Sequence, residues 1–174
     1  MYKGKKIMAI TGGYNEEGKI SKVINKIPSY VDEIVAIDDG SADNTQEEIK
    51  KTKATLLINK KNMGAGFVLR KGMNYAIKKN YEIAVIIAGD NQDNPKEIIK
   101  LIKPVTKGYD IVQGSRYLNG INDMPVFRKI TTKLFSSFFR FTTSYTLTDA
   151  SNGFRAYKVS FLKKIDFSAK WLNK

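Results

Sequence analysis

The chain has 174 residues, with 42% hydrophobic residues, 27% charged residues and a formal net charge of +13. This length and composition are typical of one globular domain with enough chain to bury a core. Cys and His are both absent, which excludes disulfides, thiol nucleophiles, Ser-His mechanisms and zinc sites of the His/Cys kind. Any metal must therefore bind oxygen ligands, the preference of Mg²⁺ and Mn²⁺.

Five short runs rich in Ile and Val alternate with amphipathic stretches along the first 115 residues. The runs predict strands buried on both faces at Ile7–Ile10, Glu33–Ile37, Ala54–Ile58, Ile83–Ile87 and Asp110–Gln113. The stretches between them predict helices at Glu16–Ile27, Asn44–Lys51, Gly66–Lys79 and Pro95–Ile102. Such alternation predicts an α/β fold with a Rossmann-like, mostly parallel sheet flanked by helices.

Polar clusters follow every one of these predicted strands. They contain Tyr14 to Glu17, Asp38 to Ser41, Asn62 to Gly66, Asp90 to Gln92, and Gly114 to Arg116. A single cluster would indicate only a turn, because turns favour Asp, Asn and Gly. Five in succession predict one binding site, because ligands of open α/β sheets bind beyond the carboxyl ends of the strands.

The positive charge is concentrated towards the end of the chain. Residues 125–174 contain ten Lys or Arg against two Asp. Such a field attracts nucleic acid, phosphorylated substrates or an acidic membrane surface. The alternative is a solvated Lys-rich surface, which we favour for the scattered Lys but not for the Arg residues. The charge alone would support nucleic-acid binding, and we rank that function low because the aromatic residues crowd one helix stripe instead of interleaving on a sheet.

No targeting or membrane-spanning segment is predicted. Met1 to Lys6 is basic, but the apolar stretch after it breaks at Gly12. The longest apolar run, Ile83 to Ala88, is too short to cross a bilayer. We therefore expect a cytoplasmic protein.

The order and spacing of six motifs resemble family 2 glycosyltransferases over about the whole chain. The motifs are Tyr-Asn-Glu-Glu at 14–17, Asp-Asp-Gly-Ser at 38–41, Asn-x-Gly-x-Gly at 62–66, Gly-Asp-Asn-Gln at 89–92 with Pro95, Gly-Ser-Arg-Tyr at 114–117 and Asn-Gly-Phe-Arg-Ala-Tyr at 152–157. The chain looks most like the dolichol-phosphate mannosyltransferase group and its bacterial polyprenyl-phosphate relatives. That resemblance implies one GT-A catalytic domain over 1–174, without the C-terminal segment that such relatives carry.

The resemblance also implies the substrates and the donor site. The donor is a nucleoside-diphosphate sugar, GDP-mannose or a UDP-sugar, and the sugar is transferred with inversion to polyprenyl or dolichyl phosphate. The residues that match the family's donor-binding positions are Gly12, Tyr14, Glu16, Asp38, Asp39, Gly89, Asp90, Gln92 and Arg116. For Asp38 and Asp39 an Asx turn before the next helix stays an alternative to contact with the base or ribose.

Asp90 is the best candidate for a metal ligand, and Gln92 matches the family residue that supports the metal. Mg²⁺ or Mn²⁺ at Asp90 would neutralise the charge that develops on the pyrophosphate leaving group. The chain departs from the family's Asp-x-Asp pattern, because Ala88 stands at its first position. It departs again at Gly12-Gly13, where the family has Pro-Ala, so the base preference does not carry over.

Arg residues indicate the acceptor. Arg116 and Arg128 match family positions that face phosphate, so we expect Asp90, Arg116 and Arg128 to be catalytic. Arg155 is as readily structural, paired with Asp149. No Glu follows Glu97, and the later Asp residues are isolated. A phosphate acceptor needs no protein base, because its second pKa is about 6.

The stretch from Phe127 to Tyr145 predicts a basic amphipathic helix with aromatic residues. It would contact the membrane surface peripherally or pack its apolar stripe into the core. Three rival functions stay open: a hydroxyl-acceptor glycosyltransferase of family 2, a nucleotidyltransferase on the same fold, and a nucleotide-sugar-binding remnant without turnover.

Overall fold

The computed structural model describes residues 1–116, 137, 141, 148–149 and 151–167. The chain forms two compact units, one of Met1–Val112 with Phe154–Lys174 and one of Gln113–Gly153. The strands are β1 Ile7–Gly13, β2 Glu33–Asp38, β3 Thr55–Ile58, β4 Ile83–Ile86, β5 Ile111–Gln113 and β6 Arg155–Lys158. The helices are α1 Ile20–Lys26, α2 Thr45–Lys50, α3 Ala65–Lys78, α4 Ile98–Thr106 and α5 Val159–Leu162, and a 3₁₀ turn at Pro95–Glu97 precedes α4.

The six strands form one sheet in the order β3-β2-β1-β4-β6-β5. β1 pairs in parallel with β2 and with β4, and β2 pairs in parallel with β3. β6 pairs antiparallel with β4 and places Arg155 beside Ile86 and Lys158 beside Ile83. The predicted α/β fold with a mostly parallel sheet is therefore confirmed, and β6 is a strand that the sequence patterns did not predict.

The core lies on both faces of the central strands. Ile7 and Ala9 of β1 face a cluster with α1, α2 and α4, whereas Met8 and Ile10 face a cluster with α3 and α5. The predicted burial on both faces is thus confirmed for β1. It is wrong for β3 and β5, whose strands are partly exposed because they lie at the two edges of the sheet.

Helix α1 begins at Ile20, four residues later than the periodicity predicts. The preceding turn contains Gly18 with a φ of +77°, a conformation that favours glycine. Three successive backbone N–H groups in this turn donate to side chains at the start of α2. The pairs are Glu16 with Thr45 Oγ1 (2.8 Å), Glu17 with Asp43 Oδ2 (3.2 Å) and Gly18 with Glu48 Oε1 (2.7 Å). The turn is therefore held by α2 and does not form part of α1.

Among the helices that the structure describes, none is long and apolar enough to cross a membrane.

The end of β1 contains a buried hydroxyl with a testable consequence for stability. Thr11 is 2% exposed, and its Oγ1 has no hydrogen-bond partner among the described residues. Because an unpaired buried polar group loses its bonds to water, Thr11→Val is expected to raise the free energy of unfolding by about 1 kcal/mol. Thermal unfolding measures the change as a rise in Tm of about 2–4 °C.

Thr45→Val is the matched control. Thr45 is fully buried, but its Oγ1 donates to Asp43 Oδ1 at 2.5 Å and accepts from the Glu16 backbone N–H at 2.8 Å. This substitution is expected to lower Tm. Equal losses of stability in the two variants would contradict the prediction, because they would mean that the Thr11 hydroxyl makes a useful bond.

Candidate functional site at the carboxyl ends of the strands

The carboxyl ends of β1, β2 and β4 lie next to one another at one edge of the sheet. Gly13, the last residue of β1, is in register with Asp38, the last residue of β2. The segment after β4 reaches the same edge, because a Cβ built on Gly89 would lie 3.1 Å from the Gly12 carbonyl oxygen. The structure thus brings the segments that carry Tyr14, Asp38 and Asp90 together, as the strand order requires. We call this end of the sheet, formed by the carboxyl ends of β1, β2 and β4, the strand-end edge.

Gly12 and Gly89 have a steric role at this edge. A Cβ on Gly12 would lie 2.3 Å from the carbonyl oxygen of Ile37, and a Cβ on Gly89 would lie 2.5 Å from Cδ1 of Ile20. Both distances are far below van der Waals contact, so neither position accepts a side chain without movement of its neighbours. Close packing therefore favours glycine at position 12, one of the two positions where the chain departs from the family's Pro-Ala.

Asp38 is fully buried and organises the turn that follows β2. Its carboxylate accepts from the backbone N–H groups of Gly40 (3.2 Å) and Ser41 (3.2 Å) and from Nε2 of Gln46 (2.8 Å). This is the turn arrangement that the sequence left open as an alternative. Asp43 makes a similar contact at the start of α2, because its Oδ1 accepts from the Thr45 backbone N–H at 3.0 Å.

Asp39 joins the end of β2 to the Asn-x-Gly-x-Gly segment. It is 2% exposed and accepts from Nδ2 of Asn59 (2.7 Å) and from the backbone N–H groups of Met63 (3.0 Å) and Gly64 (2.8 Å). Gly64 is the N-cap residue of α3, which begins at Ala65. Asp39 therefore fixes the loop that borders the strand-end edge on the α3 side.

Tyr14 and Glu16 lie on the loop after β1. The Tyr14 side chain is exposed, and Glu16 is partly buried with Oε2 3.1 Å from Nζ of Lys19. Asn15 between them has a φ of +57° and fixes the loop against its neighbour. Its backbone N–H donates to Ser41 Oγ at 2.9 Å, and its Oδ1 accepts from the Ala42 N–H at 3.0 Å.

Asp90 forms a tight turn with Gln92 after β4. Its Oδ1 accepts from the Gln92 backbone N–H at 3.0 Å, and Asn91 between them has a φ of +62°. Asp90 is partly buried and Gln92 is exposed. In the described part of the chain, no group of three or more Asp or Glu could hold a metal ion. Asp90 and Gln92 offer oxygen donors of the kind that Mg²⁺ and Mn²⁺ prefer.

In the second unit, Arg116 forms a bidentate ion pair with Asp149 through two guanidinium nitrogens. Nε donates to Oδ2 at 2.8 Å, Nη2 donates to Oδ1 at 3.0 Å, and Nη2 also donates to Ser151 Oγ at 2.9 Å. The Asp149 side chain has no exposed surface. Its burial opposes ionisation, but the hydrogen bonds and charge of Arg116 outweigh burial and lower the pKa of Asp149. This ion pair joins Asp149 to Arg116, and the pairing of Asp149 with Arg155 stays a prediction.

Arg155 and Asn59 are the residues at the strand-end edge that sequence reasoning undervalued. Arg155 begins β6 beside Ile86, so the antiparallel strand carries it to the carboxyl end of β4. The Asn-Gly-Phe-Arg motif was the available signal, but its position depends on a strand that the pattern did not predict.

Arg128 and most of the stretch 127–145 lie outside the described residues. In that stretch, the side chain of Phe141 is 89% exposed.

Comparison with known proteins identifies the family. Residues 10–166 match the family model of glycosyl transferase family 2. A UDP-N-acetylglucosamine–dolichyl-phosphate N-acetylglucosaminyltransferase of Methanococcus voltae is 33% identical, over 91% of this chain and 72% of the relative. The polyprenol monophosphomannose synthase of Mycolicibacterium smegmatis is 26% identical, over 95% of this chain and 66% of the relative.

A solved structure supports the fold. Glucosyl-3-phosphoglycerate synthase from Mycobacterium tuberculosis, in complex with Mn²⁺, UDP-glucose and phosphoglyceric acid, matches with a TM-score of 0.73 and 22% identity. The match covers 93% of this chain and 60% of that one, so the present chain spans about three fifths of the synthase's length. The sheet and its polar strand ends are those of the GT-A class, as the sequence predicted. The chain belongs to glycosyltransferase family 2.

Proposed function

We propose that this chain binds a nucleoside-diphosphate sugar at the strand-end edge and transfers the sugar, with inversion, to a polyprenyl phosphate. The observation that carries the proposal is the meeting of β1, β2 and β4 at one edge, which gathers Tyr14, Glu16, Asp38, Asp39 and Asp90. Relatives named as transferases to dolichyl phosphate and as polyprenol monophosphomannose synthases support the choice of acceptor.

The charge at this edge supports metal assistance. The end of β2 and the segments that follow β1, β2 and β4 carry carboxylates at positions 16, 17, 38, 39, 43 and 90. Such an edge repels a pyrophosphate, so a divalent cation between Asp90 and the phosphates would offset the repulsion. Gln92 would support the same ion. When bound, Mg²⁺ or Mn²⁺ supplies charge stabilisation of the departing nucleoside diphosphate.

Two of the carboxylates that follow Glu97, Asp110 and Asp149, support a phosphate acceptor. Asp149 is buried and bonded to Arg116, so its carboxylate is not placed to take a proton from an acceptor hydroxyl. Asp110 lies beside Lys158, which is in register with Ile83 at the opposite end of β4 from the site. A phosphate monoester is already ionised near neutral pH and needs no such base. Positioning and charge compensation then supply most of the catalysis.

In this proposal the acceptor lies at the membrane surface, and the stretch 127–145 contacts that surface. The exposed Phe141 supports this interpretation over a stripe packed into the core. Arg128, Lys129, Lys133 and Arg140 would add attraction to anionic lipid headgroups.

Product analysis tests the proposal. The protein is incubated with GDP-mannose or a UDP-sugar, Mn²⁺ and either a polyprenyl phosphate or a sugar acceptor. Formation of a polyprenyl glycosyl phosphate in the mixture that contains polyprenyl phosphate supports the proposal. Transfer only to the sugar acceptor would identify a hydroxyl-acceptor enzyme, and donor binding without any product would identify a binding remnant.

Arg128→Ala tests the assignment of the acceptor phosphate. The expected result is a fall in kcat/KM for polyprenyl phosphate of about 100-fold with donor affinity nearly unchanged, because a charge-assisted contact to phosphate is lost. Arg128→Lys should recover only part of the activity, since Lys keeps the charge but loses the two-pronged geometry. Transfer by Arg128→Ala at the parent's rate would contradict the assignment.

A further inference from the structure

The loop that connects β3 to α3 is tied to β2 by a chain of buried polar groups. Asp39 accepts from the Met63 and Gly64 backbone N–H groups within this loop. It also accepts from Nδ2 of Asn59, which is 6% exposed and lies at the loop's beginning. The backbone N–H of Asn59 donates to the Asp38 carbonyl oxygen at 2.9 Å. Loop 59–64 therefore takes its shape from the end of β2.

Lys71 of α3 completes this chain from the other side. Its ammonium donates to Oδ1 of Asn59 at 2.6 Å and to the carbonyl oxygen of Ile58 at 2.9 Å. The bond from Lys71 to Oδ1 and the bond from Nδ2 to Asp39 together determine the orientation of the Asn59 amide, because the oxygen must face the ammonium and the NH₂ must face the carboxylate. A cation is thereby linked through one amide to a carboxylate that is 2% exposed.

The arrangement has an energetic consequence. A buried carboxylate is costly unless hydrogen bonds and charge compensate for its lost hydration. Hydrogen bonds to charged groups are stronger than neutral ones, and bonds in a chain polarise one another. Loss of the Lys71 ammonium would weaken the hold of Asn59 on Asp39. Asp39 would then hold the Met63 and Gly64 amides less firmly.

We propose that Lys71 is a positioning residue of the donor site. It acts through Asn59 and Asp39 on loop 59–64, which borders the strand-end edge, and so sets the affinity for the nucleotide without touching it. This inference rests on the proposed function for the identity of the ligand. The geometry of the chain of bonds stands on the described residues alone.

Lys71→Met tests the proposal, with Lys78→Met as the matched control. Met keeps the length of the side chain and removes the ammonium, and Lys78 is an exposed residue in the last turn of the same helix. In Lys71→Met, hydrogen exchange of the Met63 and Gly64 amides is expected to be about tenfold faster. The dissociation constant for UDP or GDP with Mn²⁺ is expected to rise about tenfold. Lys78→Met should change neither quantity.

Two further variants keep the test decisive. Lys71→Arg restores the charge and should recover part of the nucleotide affinity, which a purely steric role would not require. If Lys71→Met fails to fold, Lys71→Gln keeps a donor for Asn59 without the charge and takes its place. Circular dichroism checks the fold of each variant.

The outcomes separate this inference from the proposed function. Unchanged exchange at Met63 and Gly64 in Lys71→Met would overturn the inference, whatever the ligand. Faster exchange with parental nucleotide affinity would also overturn it, because the loop would then not matter for binding. A parent protein that binds no nucleotide contradicts the proposed function itself, and the positioning role fails with it.

Discussion

Asp90→Ala is expected to remove the Mn²⁺-dependent part of nucleotide affinity and to lower sugar transfer by at least about 100-fold. Asp90 lies in a turn after β4 and not in the core, so the fold should persist. Without the Asp90 carboxylate, only the neutral Gln92 of the two proposed ligands would remain to hold the ion that offsets the acidic edge. The measurement is nucleotide binding by calorimetry, with Mn²⁺ and with EDTA, for the parent and the variant.

Asp93→Ala is the control for Asp90. It removes the same charge three residues further along the loop and should leave the metal dependence as it is in the parent. Removal of the metal by EDTA should weaken binding in the parent and in Asp93→Ala but not in Asp90→Ala. Unchanged metal dependence in Asp90→Ala would show that Asp90 is only a turn residue, which would refute the metal assignment.

Arg116→Ala is expected to lower the free energy of unfolding by about 3 kcal/mol, because it leaves the buried Asp149 carboxylate without its charge partner. The loss should be larger than that of an exposed ion pair such as Lys50 with Glu47, whose attraction is screened by solvent. Chemical denaturation at neutral pH measures the difference. Arg116→Lys should lose part of this stability, since one ammonium cannot reproduce the two-pronged contact.

The pH dependence of stability gives this prediction a second readout. Arg116 lowers the pKa of Asp149 below its ordinary value, so the stabilisation is complete above that ordinary value. It is lost as the pH falls through the lowered pKa of the folded protein, because the unfolded chain then binds the proton more readily. The stability gap between the parent and Arg116→Ala should therefore narrow in acid. A gap that is independent of pH would mean that packing, and not the ion pair, accounts for the loss.

The sequence predicted the central strands because runs of consecutive apolar residues, mostly Ile and Val, indicate burial on both faces. β1, β2 and β4 begin at the predicted positions, and their adjacency follows from the alternation with helices. β6 was missed because a four-residue strand with two buried side chains leaves no periodic signal. The start of α1 was missed because its preceding turn is held by side chains 26 to 30 residues away.

The meeting of the motif segments at the candidate site was predictable, whereas the hydrogen bonds of their residues were not. Motif order placed the polar clusters after the strands, and the strand order brings those at the ends of β1, β2 and β4 to one edge. The internal bonds of Asp38 and Asp39 could not be deduced, because their partners depend on how loops fold back on one another. The partnership of Arg116 with Asp149 spans 33 residues, and a motif names its members without saying which of them pair.

The antiparallel strand β6 has a consequence for the order in which the chain assembles. β3, β2, β1 and β4 form a contiguous four-stranded block within the first 86 residues, so this block can pair while the rest of the chain is still being synthesised. β5 is made next, but its neighbour in the sheet is β6, whose first residue is Arg155. β5 therefore cannot pair with β6 until more than 40 further residues have been synthesised. We expect this long-range pairing to be a late and slow step of folding.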